Sequence, residues 1–357
     1  MTLDDDARKM LTIGGLSIRM PVVQAALSGY SDWPMRTIAR ELGAPYTICE
    51  VMIDTFVSSL KDRQRTRRFL KVTEQDHPVG AQLMGALPEE FPGAAVRLVD
   101  AGFDVIDVNF GCPLKKQRGR CRGGMHLGQP DVAIAILKAV RSAVPSTVPV
   151  TVKMRRGVDD SENSLANFLT IFDAACDLGY AAVTVHGRTV QQKYNGPSQW
   201  DFLTDLKARY PRQTILGSGD LFTAVDCVRM LKETRVDGVT AARGAIGNPW
   251  IFQQAEALLL GQPLPAPPTV FEQRDVILRH FQLAREVYPA ELVSRQMRKF
   301  GIRYASLHPA TNNVRDAFIG VRSDAEWMSV METWYSDDQP GVMPTAQQIC
   351  DCKQASM

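Results

Sequence analysis

Histidine and cysteine are scarce in this chain: it has five histidines and seven cysteines among 357 residues. An odd and scattered cysteine set excludes the disulfide framework of a small secreted protein. Cys350 and Cys352 form a lone C-x-C near the end of the sequence, with no second Cys or His pair beside it. It reads as free thiols in a tail rather than a zinc site, and no metal is expected. Long apolar runs are also missing. None approaches the roughly 20 residues that a membrane helix needs, so no membrane contact is expected. The opening Met1-Thr2-Leu3-Asp4-Asp5-Asp6 is acidic where a secretory signal is basic and then apolar. A cytoplasmic protein is the expectation. Charge of one sign is not in excess either, because the net charge is only +2. A nucleic-acid partner therefore cannot be read from overall charge.

The distribution of charge says more than its sum. Lys61, Arg63, Arg65, Arg67, Arg68 and Lys71 stand against the single acid Asp62, and Lys115, Lys116, Arg118, Arg120 and Arg122 form a second cluster without any acid. A charge run is usually a solvated face. The second cluster is of more interest because it begins three residues after Cys112. Basic stripes of this kind fit phosphate contact.

Short apolar or β-branched runs recur at 20–26, 46–52, 79–83, 105–109, 148–154, 181–186, 214–217 and 238–242. Runs that are apolar on both faces are what buried parallel strands show. Amphipathic stretches lie between them, as at 131–142, where Ile134, Ile136, Leu137 and Val140 form an apolar face. Eight such βα units predict a TIM (β/α)8 barrel, which takes about 250 residues. Polar residues or glycine close six of the runs: Gln82, Asn109, Lys153, His186, Gly217 and Arg243. In this fold the active site lies at the C-terminal ends of the strands, so these residues should meet at one mouth.

Composition changes after the barrel. Gly261-Gln262-Pro263-Leu264-Pro265-Ala266-Pro267-Pro268 can continue neither a helix nor a central strand. Ile277, Phe281, Ala284 and Tyr288 then fall on one helical face. The expected organisation is a catalytic barrel over 1–260, a C-terminal all-α helical domain over 261–337, and a flexible tail over 338–357.

The segment Asp107-Val108-Asn109-Phe110-Gly111-Cys112-Pro113 leaves a strand and turns at Gly and Pro, which aims a thiol at the barrel mouth. An arbitrary cysteine is most often buried and inert. Here the turn and the basic residues that follow favour an accessible thiol, able to act as nucleophile or proton donor. Gly217-Ser218-Gly219-Asp220 after the seventh strand and Arg243-Gly244 after the eighth occupy the usual phosphate position of the fold. That grip suits a sugar phosphate or FMN. Lys153 can form a Schiff base or balance the charge of a reduced flavin; the flavin reading also uses Cys112 and Gln82. His186, in Val185-His186-Gly187-Arg188, fits a ligand contact better than a core position because glycine opens the turn behind it.

Several of these motifs resemble the tRNA-dihydrouridine synthase family. They are Ser28-Gly29-Tyr30-Ser31-Asp32, Asn109-Phe110-Gly111-Cys112-Pro113 followed by Lys115-Lys116, Val152-Lys153-Met154-Arg155, Val185-His186-Gly187-Arg188-Thr189, Gly217-Ser218-Gly219-Asp220-Leu221-Phe222, Ala242-Arg243-Gly244 and Gly247-Asn248-Pro249-Trp250-Ile251-Phe252. The resemblance implies FMN in the barrel mouth, NADPH as electron source, and a helical domain that helps to clamp tRNA. It implies that Ala26, Leu27 and Ser28 line the flavin through backbone groups, and that Gln82, Lys153 and His186 contact it. Ser218, Gly219, Asp220, Ala242 and Arg243 would hold its phosphate. Asn109, Arg188, Lys115 and Lys116 would face the substrate, with Cys112 as proton donor to the base. A monomer is expected.

The chain departs from the family pattern at three places: Ala26 stands where proline is usual, Ser218 where asparagine is usual, and Cys121 where glycine is usual. Two other readings are an FMN barrel acting on a free pyrimidine, as in dihydroorotate dehydrogenase-like enzymes, and a tRNA-binding barrel without chemistry.

Overall fold

The computed structural model describes residues 10–61, 63–113, 122–346 and 348. Eight parallel strands close into a barrel in the order β10-β3-β4-β5-β6-β7-β8-β9. They are β3 (Val22–Gln24), β4 (Thr47–Ile53), β5 (Val79–Met84), β6 (Val105–Phe110), β7 (Val150–Arg155), β8 (Ala182–His186), β9 (Ile215–Ser218) and β10 (Gly238–Ala241). Each coincides with one of the eight apolar runs to within about two residues. The reason is burial on both faces. Val79, Ala81 and Leu83 of β5 and Val150, Val152 and Met154 of β7 pack outward in the large core. The alternate positions point into the barrel, where the chemistry-bearing side chains sit.

A short antiparallel hairpin precedes the barrel, β1 (Leu11–Ile13) and β2 (Leu16–Ile18). Sequence reading missed it, although alternating apolar residues around Gly14-Gly15 are a hairpin signal. Its Leu11, Ile13 and Ile18 pack with Val23, Tyr46, Ile48, Val105, Ala182 and Leu216 in a second, separate core. These residues plug the end of the barrel opposite the mouth. The interior is therefore apolar at the bottom and polar toward the top.

After the barrel, helices Val270–Val287, Val293–Tyr304, Thr311–Gly320 and Asp324–Trp334 form a bundle. The first begins at Thr269, whose side chain accepts from Glu272 N–H in a capping box. Ile277, Phe281, Met297, Phe300, Phe318 and Trp327 are buried between the helices. Each such side chain contributes roughly 1.5–3 kcal/mol when fully buried. Residues 338–344, expected as the start of a flexible tail, are docked. Val270 N–H donates to Gln339 O at 3.0 Å and Val342 N–H to Leu307 O at 2.9 Å. Phe271 N–H donates to the Asp338 carboxylate at 3.0 Å. These partners lie far away in sequence, so composition alone cannot reveal them.

The bundle is fastened to the rim of the barrel. Tyr288 O–H donates to Asp32 at 2.6 Å, and Arg68 bonds both Glu50 at 3.2 Å and Tyr288 at 3.3 Å. Lys71 pairs with Glu286 at 2.9 Å and lies over the Trp33 ring. Two cations of the first basic cluster thus join barrel to bundle. Among the described residues no helix is long and apolar enough to cross a membrane, and no group of His, Cys, Asp and Glu could hold a metal ion.

Candidate active site

Strand register assembles the site in tiers. Gln82 of β5 is paired with Asp107 of β6, and Asp107 with Thr151 of β7. Two residues further along, Asn109 stands beside Lys153. Arg155 stands beside His186, and His186 beside Ser218. Because side chains alternate along a strand, all of these point inward and climb from the middle of the barrel to its mouth.

Above the lower tier opens a cavity of about 880 Å³ with its open mouth included, lined among others by Ala26, Leu27, Asn109, Cys112, Lys153 and Arg155. His186, Tyr194, Ser218, Gly219, Asp220, Ala242 and Arg243 complete the wall. The fold has therefore brought together Cys112 and all of the expected cofactor-binding residues except Ser28 and Gln82. Ser28 is exposed on the loop after β3. Gln82 lies beneath the cavity floor, fully buried. Lys115 and Lys116 lie outside the described residues.

The lower tier is one connected set of hydrogen bonds. Thr151 O–H donates to Asp107 Oδ1 at 2.6 Å, and Gln82 Nε2–H to Asp107 Oδ2 at 2.5 Å. Asn109 Nδ2–H donates to Gln82 Oε1 at 2.6 Å. Asn109 Oδ1 in turn accepts from the backbone N–H groups of Gly111 and Cys112, both at 2.9 Å. Burial raises the Asp107 pKa, opposed by the hydrogen bonds from Thr151 and Gln82 and by the Lys153 charge.

Cys112 is half-buried at the edge of the cavity. Its carbonyl accepts from Gly124 N–H at 3.0 Å. The two glycines that pass behind it leave no room for a side chain. A β-carbon on Gly123, whose φ is +55°, would stand 2.7 Å from Cys112 Cβ, and one on Gly124 would stand 2.8 Å from Cys112 O. Gly123 and Gly124 are thus the backing of the thiol.

The cavity wall is electropositive. Lys153 donates to Ser218 Oγ at 3.2 Å. Burial and the neighbouring Arg155 charge lower its pKa to about 8, with Asp107 opposing. Arg155 is fixed by the carbonyls of Gly111, Thr189 and Lys193 at 2.8, 2.8 and 2.7 Å. The rings of Tyr194 and Phe222 flank the Arg243 guanidinium at 4.9 and 5.0 Å. His186 is kept neutral. Burial, then the charges of Lys153, Arg155, Arg188 and Arg243, pushes its pKa well below the ordinary value, and its Nδ1 accepts from Arg188 N–H at 3.1 Å.

Arg188, expected to face the substrate, does not line the cavity. Its guanidinium is buried against Asp220, with both carboxylate oxygens at 2.7 Å, and against Gly196 O. Asp220 also accepts from Ser198 N–H at 2.7 Å and adopts a positive φ of 58°, next to Gly219 at 114°. Among the described residues Asp220 is the only carboxylate on the cavity wall; it is matched by a buried arginine, and the loop after β9 is locked in its turn.

Residues 23–336 match the family described as dihydrouridine synthase (Dus). The chain belongs to the dihydrouridine synthase family. Its curated relatives include a probable tRNA-dihydrouridine synthase of Mycobacterium tuberculosis, 31% identical over 88% of this chain and 82% of the relative. Another is tRNA-dihydrouridine synthase B of Xanthomonas axonopodis pv. citri, 34% identical over 85% of this chain and 90% of the relative. Among solved structures, histamine dehydrogenase from Rhizobium sp. 4-9 shares the fold, with a TM-score of 0.57 and 14% identity over 78% of this chain and 51% of that one. So does the protein titled TcOYE with pHBA, with a TM-score of 0.54 and 15% identity over 74% of this chain and 95% of that one.

Two wall residues of this dihydrouridine synthase escaped the sequence reading. Arg155 shares the inward parity of Lys153 two positions before it, and that signal could have found it. Tyr194 lies in the loop after β8 and carries no such periodicity.

Proposed function

We propose that this protein reduces the C5–C6 double bond of a uridine in tRNA, with FMN held in the cavity, NADPH as the electron source and Cys112 as the proton donor. The observation that carries the reading is the meeting of the Cys112 thiol with Lys153, Arg155 and Arg243 around one cavity at the C-terminal mouth of the barrel.

The residues present suit a flavin phosphate. Among the described residues Lys153 gives a single hydrogen bond, to Ser218, which leaves donor capacity at the cavity wall. Gly219 approaches Ser198 so closely that a β-carbon would stand 2.4 Å from its hydroxyl, so backbone rather than side chain faces the ligand there. Ala26 and Leu27 would meet the ring, with Lys153 and His186 beside it, and Ser218, Gly219, Ala242 and Arg243 would hold the phosphate end. FMN bound in this way supplies the hydride for C6 of the base.

The protein's own residues do the remainder. Lys153 sets a positive charge beside an electron-rich ligand, which favours its reduced, more negative form by Coulomb attraction. A uridine inside folded tRNA must leave its stack to enter the cavity. The exposed Tyr194 ring, near Arg155 and Arg243, offers such a base a stacking surface at the mouth. The Cys112 S–H bond then breaks as its proton forms a C–H bond at C5 of the base, and the thiolate recovers a proton from solvent. The neutral imidazole of His186 adds no further positive charge to the cavity wall. Residues 261–337 would help to grip the tRNA; the protein acts in the cytoplasm as a monomer.

The test is direct. Purified protein should be yellow, contain FMN and form dihydrouridine in tRNA from cells that lack this gene, with affinity falling steeply as salt is added. A colourless protein that takes up no flavin contradicts the reading. Activity on free uridine equal to that on tRNA would favour the free-pyrimidine enzyme.

A further inference from the structure

The lower tier of the barrel does not touch the cavity through Asp107 or Thr151, yet it ends on the backbone of Cys112. Its upper end is chemically unambiguous. At the upper end, the N–H groups of Gly111 and Cys112 can only donate, so Asn109 must turn its oxygen to them. Its amide nitrogen then faces Gln82, which must present oxygen to Asn109 and nitrogen to Asp107. At the lower end a carboxylate offers acceptors at both oxygens and receives Thr151 on one and Gln82 on the other. The two ends demand the same direction.

We infer that Asp107 is a positioning residue that sets the polarity of this relay and, through Gln82 and Asn109, holds the loop that carries Cys112. Were the relay reversed, the Asn109 amide nitrogen would face two backbone N–H donors, and the loop would lose both hydrogen bonds that Asn109 gives it. Thr151 secures the outer oxygen of Asp107 and completes the device. The inference rests on the proposed role of Cys112 only for its consequence in turnover; the loop geometry stands without it.

Asp107→Asn, Thr151→Val and the double variant test this with little change of volume. In Asp107→Asn the new amide nitrogen can turn to the Thr151 hydroxyl and leave its oxygen to Gln82. Thr151→Val leaves Asp107 as an acceptor for Gln82. The double variant has no acceptor beside the new amide nitrogen except Gln82, which must then flip. The readout is the rate of Cys112 alkylation by iodoacetamide in the flavin-loaded protein without tRNA, located by peptide mass. Each single variant should alter it by about 1.5-fold or less, and the double by about tenfold or more, well beyond the product of the singles and a coupling within the range seen for groups in one network. The same variant should lose kcat for tRNA with KM little changed.

A double variant that equals the product of the singles, or alkylation that is unchanged throughout, overturns the inference. If the double variant does not fold, Gln82→Leu cuts the relay at its centre and should speed hydrogen exchange at the Gly111 and Cys112 amides; unchanged protection there is equally fatal. Neither the alkylation rate nor the exchange rate uses dihydrouridine formation, so a failure of Cys112 as proton donor would show separately.

Discussion

Replacing Gly124 with alanine perturbs the thiol without touching it. A β-carbon at this position would stand 2.6 Å from Val190 Cγ2 and 2.8 Å from Cys112 O. Restoring ordinary contact at the carbonyl needs a shift of about 0.6 Å, taken as the difference from a normal separation of roughly 3.4 Å. The Gly124 N–H to Cys112 O bond at 3.0 Å is strained by the same movement. Overpacking of this kind costs about 1–3 kcal/mol, so the variant should fold and melt a few degrees lower. Its effect on chemistry should be larger than its effect on stability, because a misplacement of about 1 Å can cost about a hundredfold in rate. Single-turnover reduction of tRNA by pre-reduced enzyme should therefore slow by about 10–100-fold. Flavin content and the rate of flavin reduction by NADPH should stay near normal, since Gly124 does not line the cavity. Wild-type single-turnover rates in a folded Gly124→Ala protein would show that the backing of Cys112 does not matter to the reaction.

Lys153 gives a pH signature with two opposite signs. Its pKa lies at about 8 against an ordinary 10.5, so the ammonium is lost as pH rises through about 8. The rate of the wild-type enzyme should fall across that region, while Lys153→Met should be slow but flat there in a pH–rate profile. Stability runs the other way: between about 8 and 10.5 the unfolded chain binds more protons than the folded one, so thermal melts should show stability rising with pH in that window, and Lys153→Met should abolish the rise. Asp220→Ala strands the buried Arg188, whose guanidinium it pairs at 2.7 Å. Loss of one partner from a buried pair costs about 3–5 kcal/mol. Calorimetry should show a lowered Tm and absorbance a reduced flavin content; an unchanged Tm would mean that solvent replaces the carboxylate.

The barrel was legible because burial on both faces leaves a direct trace, as in the apolar runs that became β5 and β7. Its closing residues were legible because the fold places every strand end at one mouth. Legibility failed where a residue's role depends on a partner distant in sequence. Gln82, expected to close its strand, lies two residues inside the end of β5, and Asp107 and Asn109 already occupy both ends of its amide. Arg188 follows His186 in the motif, yet its guanidinium is claimed by Asp220, 32 residues further along. Tyr194 joins the wall where Arg155, at the end of β7, and Arg243, in the turn after β10, converge on its ring. The docked stretch 338–344 belongs to the same class.

The central claim is that the Cys112 thiol delivers the proton to the base. It is tested most directly by Cys112→Ala, loaded with flavin, reduced, and mixed with tRNA that lacks dihydrouridine. The account predicts normal flavin content and normal oxidation of NADPH, with no dihydrouridine formed on the time scale of the wild-type reaction. Dihydrouridine formation at the wild-type rate by this variant would contradict it.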